Sequence, residues 1–288
     1  MAKEFACALT HVRHESFFLE KWIRHYGAIV GHDNLYVVID GDDWEPDVDL
    51  TGVHTEILLD APRRRIKNDR FMAKAMSQHA NKLRKRYQYV IRGDCDEYVV
   101  IDPEAGLDWP TALEELGEVG YVFALGIDVV QDRSERVPVD RDAPLLGQRQ
   151  FGYVADRYTK PFVISRWNNW AGGAHRLLNR PVRMSEHFVL FHMALADQTI
   201  AQDRFEARGS ATAQHRSFVG HQTDRLNVIA GGDLGACMDF VEARAIAFAQ
   251  FPYEPDGEPA KRPRASNDPR AGEQGLPVRI PERFAGLV

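Results

Sequence analysis

Tyr89-Val90-Ile91-Arg92-Gly93-Asp94-Cys95-Asp96-Glu97-Tyr98-Val99-Val100-Ile101 is the stretch from which the fold of this chain is read. Apolar runs flank Asp94-Cys95-Asp96 on both sides and read as buried strand, so two carboxylates stand where a strand leaves a sheet. In an α/β protein ligands gather at that edge. Buried carboxylates need partners such as a metal, an arginine or backbone donors. Oxygen ligands suit Mg²⁺ or Mn²⁺, ions commonly shared with a substrate's phosphates. The pair thus points to an enzyme that handles a diphosphate-bearing small molecule. The competing reading is a structural ion pair with Arg92. Asp40-Gly41-Asp42, Asp47-Val48-Asp49 and Asp140-Arg141-Asp142 repeat the spacing without the apolar flanks, and read as solvated turns.

Toward the N-terminus, Phe5 to Leu9 reads as a first strand. Phe18, Trp22 and Tyr26 recur at helical spacing, with Gly27 and Gly31 marking the helix end. Leu35 to Ile39 is a strand covered on both faces, Asp40 to Asp49 a loop, and Val53 to Leu59 a third strand. Ile66 to Tyr87 is expected as a long helix. Lys82, Arg84, Lys85 and Arg86 crowd its last turns, where cations favour the dipole.

Toward the C-terminus, Asp108-Trp109-Pro110 is a cap followed by an early helical proline, opening a short helix to about Leu116. Val119 to Leu125 is a further strand, and the charged segment Asp132 to Arg149 a surface loop. Shorter strands are expected near Phe162 to Ser165 and Phe188 to Phe191. Helices are expected over Asp197 to Arg208 and about Leu234 to Ala249. From Phe251 onward prolines and charges dominate, as in an extended arm or a disordered tail. Alternating strands and helices predict an α/β fold, a mainly parallel mixed sheet flanked by helices with a C-terminal helical extension.

The 288 residues, 44% hydrophobic, suffice for one large domain. A net charge of −6 argues against a general nucleic-acid binder. No apolar run is long enough to span a bilayer, and Met1 to Phe5 lacks a signal-peptide core. Cys7, Cys95 and Cys237 lie far apart without a CxxC pair, which excludes a disulfide framework and fits a reducing, cytoplasmic setting.

Tyr87 to Tyr98 resembles the "D-x-D-E-aromatic" block of family 2-like glycosyltransferases. Arg13-His14-Glu15 is similar to their Lys/Arg-Asn-Glu triplet, and Glu20 to Tyr26 to their following helix. Leu35 to Asp43 resembles their second strand and acidic turn. Lys160-Pro161-Phe162-Val163, Gly172-Gly173-Ala174-His175 and Leu190-Phe191-His192-Met193 resemble later blocks in the same order. His14 stands where the family has Asn, Met193 where it has an aromatic residue, and Cys95 is an unusual middle residue; these departures bear on donor preference. The likeness covers residues 5 to 209.

The resemblance implies a GT-A fold over residues 1–209, followed by a helical extension over 210–250 and the tail over 251–288. It implies an inverting transfer from a nucleotide-sugar donor, a UDP- or GDP-sugar, to a glycan or other hydroxyl acceptor, with Mn²⁺ or Mg²⁺ between the phosphates. The acceptor can be soluble or lie at a membrane surface. Asp96 is then the first metal ligand, Asp94 holds the metal or the ribose, and His192 is either a third ligand or a core histidine. Asp40 meets the base or ribose, or caps its turn. Thr10 and Arg13 line the nucleotide pocket, while Arg92 and Lys160 neutralise phosphates. Glu15 favours the helix dipole, and Arg63-Arg64-Arg65 is a solvated loop or recruits an anionic acceptor. The general base is Asp128 or His175. Glu97 turns away from Asp96 if the strand continues through it. Trp167 or Trp170 stacks on a sugar or packs in the core. Two other classes stay open: a nucleotidyltransferase or phosphohydrolase, against which the glycine-free Thr10 to Glu15 loop argues, and a non-catalytic module that has kept the fold.

Overall fold

A computed structural model describes residues 2–59, 61–62, 65–132, 134–135, 137–207 and 237–288. Arg63, Arg64, Arg208, Gly209, the Gly231-Gly232 pair and the expected helix start at Leu234 lie outside the described residues, as does the boundary at 209/210. The strands are β1 (Glu4–Val12), β2 (Leu35–Asp40), β3 (His54–Leu58), β4 (Tyr87–Arg92), β5 (Glu97–Ile101), β6 (Tyr121–Val130), β7 (Phe151–Val154), β8 (Lys160–Ile164), β9 (Met184–Leu195) and β10 (Leu276–Arg279). The α-helices are α1 (Ser16–Val30), α2 (Arg65–Leu83), α3 (Trp109–Leu113), α4 (Gln198–Ala207) and α5 (Phe240–Gln250).

The fold is α/β, a mixed ten-stranded sheet flanked by helices. Its main path runs β10-β7-β6-β8-β4-β1-β2-β3, and β9 pairs with both β5 and β6. Ladders are parallel through β3-β2-β1-β4 and between β6 and β9, and antiparallel elsewhere. Because β1, β2 and β4 are parallel, their C-terminal ends at Val12, Asp40 and Arg92 open on one edge of the sheet.

The helices follow the apolar spacing. α1 buries Phe18, Trp22 and Tyr26 on the sheet, and α2 buries Met72, Met76, Ala80 and Leu83 on its other face. α2 stops before the expected Tyr87. Residues 84–86 form a turn, and Tyr87 opens β4, where it pairs with Glu4 of β1. The Asp108 cap is present, its carboxylate accepting from the Thr111 amide at 2.9 Å.

Residues 251–288, expected as an extended arm or disordered tail, pack into the domain. Leu276 to Arg279 pair antiparallel with β7. Leu276, Val278 and Phe284 are fully buried, and the Phe284 ring meets Phe191 and Phe240 at centroid distances of 5.2 and 5.7 Å. Arg283 grips the buried carboxylate of Asp102, just beyond β5, at 2.7 and 3.0 Å. Proline and charge content misled because few apolar residues, each placed at a core position, suffice to anchor a strand that borrows its hydrogen bonds from β7.

Gly126 is the glycine that the architecture needs. A Cβ there would stand 2.0 Å from the Tyr158 carbonyl carbon and 2.3 Å from the Thr159 nitrogen. The chain between β7 and β8 crosses β6 at this point, fastened by Gly126 N–H to Thr159 Oγ1 at 3.0 Å and Ala155 N–H to Gly126 O at 2.9 Å.

Phe284→Ala is expected to destabilise the protein by about 3–5 kcal/mol, the usual cost of emptying a buried aromatic site. Urea denaturation checks this; a change under about 1 kcal/mol would detach the tail from the core.

Candidate active site

The Asp94 region forms where the strand is interrupted. β4 ends at Arg92 and β5 begins at Glu97, with a turn between them closed by Glu97 N–H to Asp94 O at 3.0 Å. The strand therefore does not continue through Asp96, and the alternation that would turn Glu97 away does not apply. Glu97 Oε2 accepts from the Asp94 amide at 3.3 Å, holding the turn shut.

Strand register then assembles a row. On one side of β9, Glu97 of β5 is directly opposite His192; on the other, Asp128 of β6 is opposite the same histidine. Residues paired across neighbouring strands share a face. His192 Nδ1 donates to Asp128 Oδ1 at 2.7 Å, which leaves Nε2 pointing at Asp96 Oδ2, 3.8 Å away. Tyr158 stacks on the imidazole at 3.8 Å and 15°, placed there by the crossing over Gly126. Asp96, Glu97 and His192 form a buried group whose ligand atoms lie within 4.8 Å of one another. The donor set is two carboxylates and one imidazole, ligand types that could hold a metal ion. Asp96 Oδ2, which also accepts from Arg204, faces His192 Nε2 across this gap. Their 3.8 Å separation is within twice the usual ligand distance of about 2.1 Å, so one ion can touch both.

Cations flank this group. Lys160, at the start of β8, is buried and pairs with Glu97 and, at 3.6 Å, with Asp94 Oδ2. Arg92 and His11 stand 3.8 and 3.7 Å from Asp94 Oδ1. Burial raises the Asp94 carboxyl, but Lys160, His11 and Arg92 outweigh it and hold its pKa at about 2. Burial would discharge Lys160, and Glu97 and Asp94 overcome it, so the ammonium is held above its usual range. Arg92 is 4% exposed, and its Nε and Nη1 are buried without a hydrogen-bond partner, an orphaned pair of donors beside the acidic group. From α4, Arg204 reaches Asp96 Oδ2 at 2.7 Å and also pairs with Glu15 at the start of α1. Among the residues joined by these contacts, Glu15, Asp94, Asp96, Glu97 and Asp128 face Lys160, Arg92 and Arg204. The carboxyls outnumber the permanent cations, and burial, offset in part by Lys160, raises the Glu97 carboxyl above its usual range.

The remaining sequence-expected residues are distributed as follows. Asp94 is bound up with cations rather than with the Asp96–Glu97–His192 group, and Glu97 takes the place expected for it. Asp128 is 1% exposed and lies behind His192. Thr10 is fully buried in β1. Arg13 is held by the Asp40 carbonyl at 2.5 Å and by both Asp43 carboxylate oxygens at 2.9 and 2.8 Å. Asp40 ends β2 at the same edge, its carboxylate 3.4 Å from Asn68 Nδ2. His175 lies at the tip of a hairpin whose sides meet at Trp170 and Leu177. The tip turns through Gly173 at φ 70° and Ala174 at φ 57°, and His175 Nδ1 meets the Arg157 carbonyl at 2.7 Å. Desolvation by the surrounding hairpin first, then the charge of Lys160, lowers its imidazole pKa, while the exposure of the residue to solvent screens the shift. Trp170 is core, donating to the Pro161 carbonyl at 2.8 Å; Trp167 is exposed at the base of the hairpin, away from the site. Sequence reasoning missed His11, Tyr158 and Arg204. Arg204 lies more than a hundred residues from Asp96, and only the fold joins them.

No protein-family model and no curated protein matches the chain. Among solved structures it is similar to a mannose-1-phosphate geranyltransferase from Thermus thermophilus, at 15% identity and a TM-score of 0.28. The match covers 79% of this chain and spans 65% of that protein's length. A likeness this slight carries no argument.

Two outcomes are expected. His175 should titrate below the usual histidine range by NMR, and Lys160→Met should raise the midpoint part of the way, since the ammonium is the second depressing cause after desolvation. The unfolded chain binds this proton first, so the His175 contribution to stability is full above about pH 6.5 and is lost as pH falls through its lowered folded pKa. Gly126→Ala should displace Tyr158 and Thr159, seen as a lost aromatic ring-current shift on His192 and a destabilisation of at least about 1–3 kcal/mol.

Proposed function

We propose that this protein is a metal-dependent glycosyltransferase with a GT-A fold, moving a sugar from a UDP- or GDP-sugar to a hydroxyl acceptor such as a glycan, with inversion. One observation carries the reading. The Asp96–Glu97–His192 group meets the Lys160 and Arg92 cations, with His11 beside them, at the edge where β1, β2 and β4 end. An acidic pocket for a divalent ion beside buried cations is what a diphosphate leaving group requires.

Asp96, Glu97 and His192 would hold Mn²⁺ or Mg²⁺, which supplies Lewis-acid neutralisation of the departing diphosphate. Asp128 serves as the positioning residue for His192. Its hydrogen bond to Nδ1 fixes the tautomer with the lone pair on Nε2, the usual arrangement behind a metal-bound histidine. This favours His175 over Asp128 as general base, since Asp128 is buried and engaged. His175 is neutral above its lowered pKa and lies within electrostatic range of Lys160 and Asp94, so it can take the acceptor's proton. Lys160 and the orphaned donors of Arg92 stabilise the charge that develops on the phosphates. Asp40, Thr10 and Arg13, at the ends of β2 and β1, border the nucleoside end, with Arg13 fixed by Asp43.

Calorimetry of UDP and GDP, with Mn²⁺ and with chelator, tests this on wild type and Asp96→Ala. One nucleotide should bind only with Mn²⁺, and the variant should bind at least about 10-fold more weakly. A folded wild type that binds neither nucleotide overturns the proposal in favour of a non-catalytic module. Binding followed by nucleotide hydrolysis without sugar transfer to any acceptor makes it a phosphohydrolase.

A further inference from the structure

The site leaves unused the basic run at the end of α2, which the fold places at the opposite end of β4. Contacts there join separate segments into one surface. Lys3 Nζ donates to the Arg84 carbonyl at 2.6 Å, and Arg84 Nη1 reaches the Ser165 carbonyl at 3.5 Å. The stem of Arg166 lies against Gly120, where a Cβ would be 2.7 Å away. Arg180 donates to Asn168 Oδ1 at 2.9 Å, and Leu178 N–H to the Asn169 carbonyl at 2.8 Å. Lys3, Lys85, Arg166 and Arg180 are exposed, Arg84 is partly so, and none of the five forms an ion pair among the described residues. Between them stand exposed apolar side chains: Trp167 at 61%, Val119 at 45% and Leu178 at 44%. The acids nearby are fewer. Glu4 is already paired with Arg86 at 2.6 Å, Glu115 accepts from Ser185 and the Glu186 amide, and Glu114 and Glu118 stand exposed in the segment that leads to Val119. On a chain of net charge −6, the five cations without an ion pair outnumber the acids beside them and leave this end positive.

We infer that this end docks on an anionic lipid bilayer. Five unpaired cations match a negatively charged headgroup layer. An indole together with Val119 and Leu178 gives the shallow apolar insertion that holds a peripheral protein at the interface. An extended polyanion fits less well: it would run on from the patch over an acidic protein, and two of the three apolar side chains cannot stack on a base. β4, six residues and about 20 Å long, separates the patch from Asp94, so the docked protein presents its candidate active site to the aqueous side. This inference is independent of the proposed reaction.

Vesicle flotation tests it with phosphatidylcholine alone and with added phosphatidylglycerol. The full chain should float only with the anionic vesicles and be released by salt. Lys85→Glu and Arg166→Glu should each weaken binding about fivefold or more, in line with the usual contribution of one surface cation. Trp167→Ala should weaken it without altering the salt dependence. All three positions are exposed, and circular dichroism confirms folding of the variants. The inference is overturned if wild type ignores anionic vesicles, if the charge reversals change nothing, or if a single-stranded oligonucleotide binds the patch more tightly than the vesicles do.

Discussion

The pairing of β9 between β5 and β6 is the constraint on which the site depends. It puts Glu97, His192 and Asp128 in one transverse row, three residues from strands that are remote in sequence. A slip of one residue in either ladder would turn His192 to the other face of the sheet, away from both carboxylates. The register is protected from slipping by burial: Phe188 to Met193 lie in the core throughout. The hydrogen bond between His192 and Asp128 is thus held by the packing of apolar neighbours, and the interruption between β4 and β5 brings Asp96 to meet it.

Compensation of charge organises everything around that row. Buried carboxylates at this density repel one another, and three cations from different elements offset them in part: Lys160 from β8, Arg92 from β4 and Arg204 from α4. Removing one member leaves an uncompensated buried charge, which costs far more than an exposed pair contributes. The remaining imbalance is toward negative charge, beside the gap where Asp96 and His192 face each other.

Much of this was legible in the sequence because it is local. The apolar runs of β1, β2, β4 and β6, the stripes of α1 and α2, and the Asp108 cap are patterns a few residues long. Asp96 and His192 were legible too, as polar residues set in apolar runs. What was not legible depends on distant contacts. Glu97 could be placed beside Asp96 only once β4 was known to stop at Arg92. Arg204 joins Asp96 through tertiary packing, and Tyr158 reaches His192 because Gly126 lets another segment cross β6. The tail was misjudged for a related reason: β10 has little strand character of its own and exists through β7.

That dependence bears on how the chain acquires its structure as it is synthesised. β5 and β6 emerge well before β9, so Asp128 and Glu97 must wait, like charges on unfinished strands, for His192 to be made. β7 waits longer still for its partner β10, and the Phe191 ring for Phe284. One edge of the sheet is therefore capped by its last-made strand, while β9 enters late between β5 and β6. Partners so far apart along the chain make for slow folding. During that wait the bare edge of β7 and the uncovered face of β9 are the surfaces most open to capture by a chaperone or by another nascent copy.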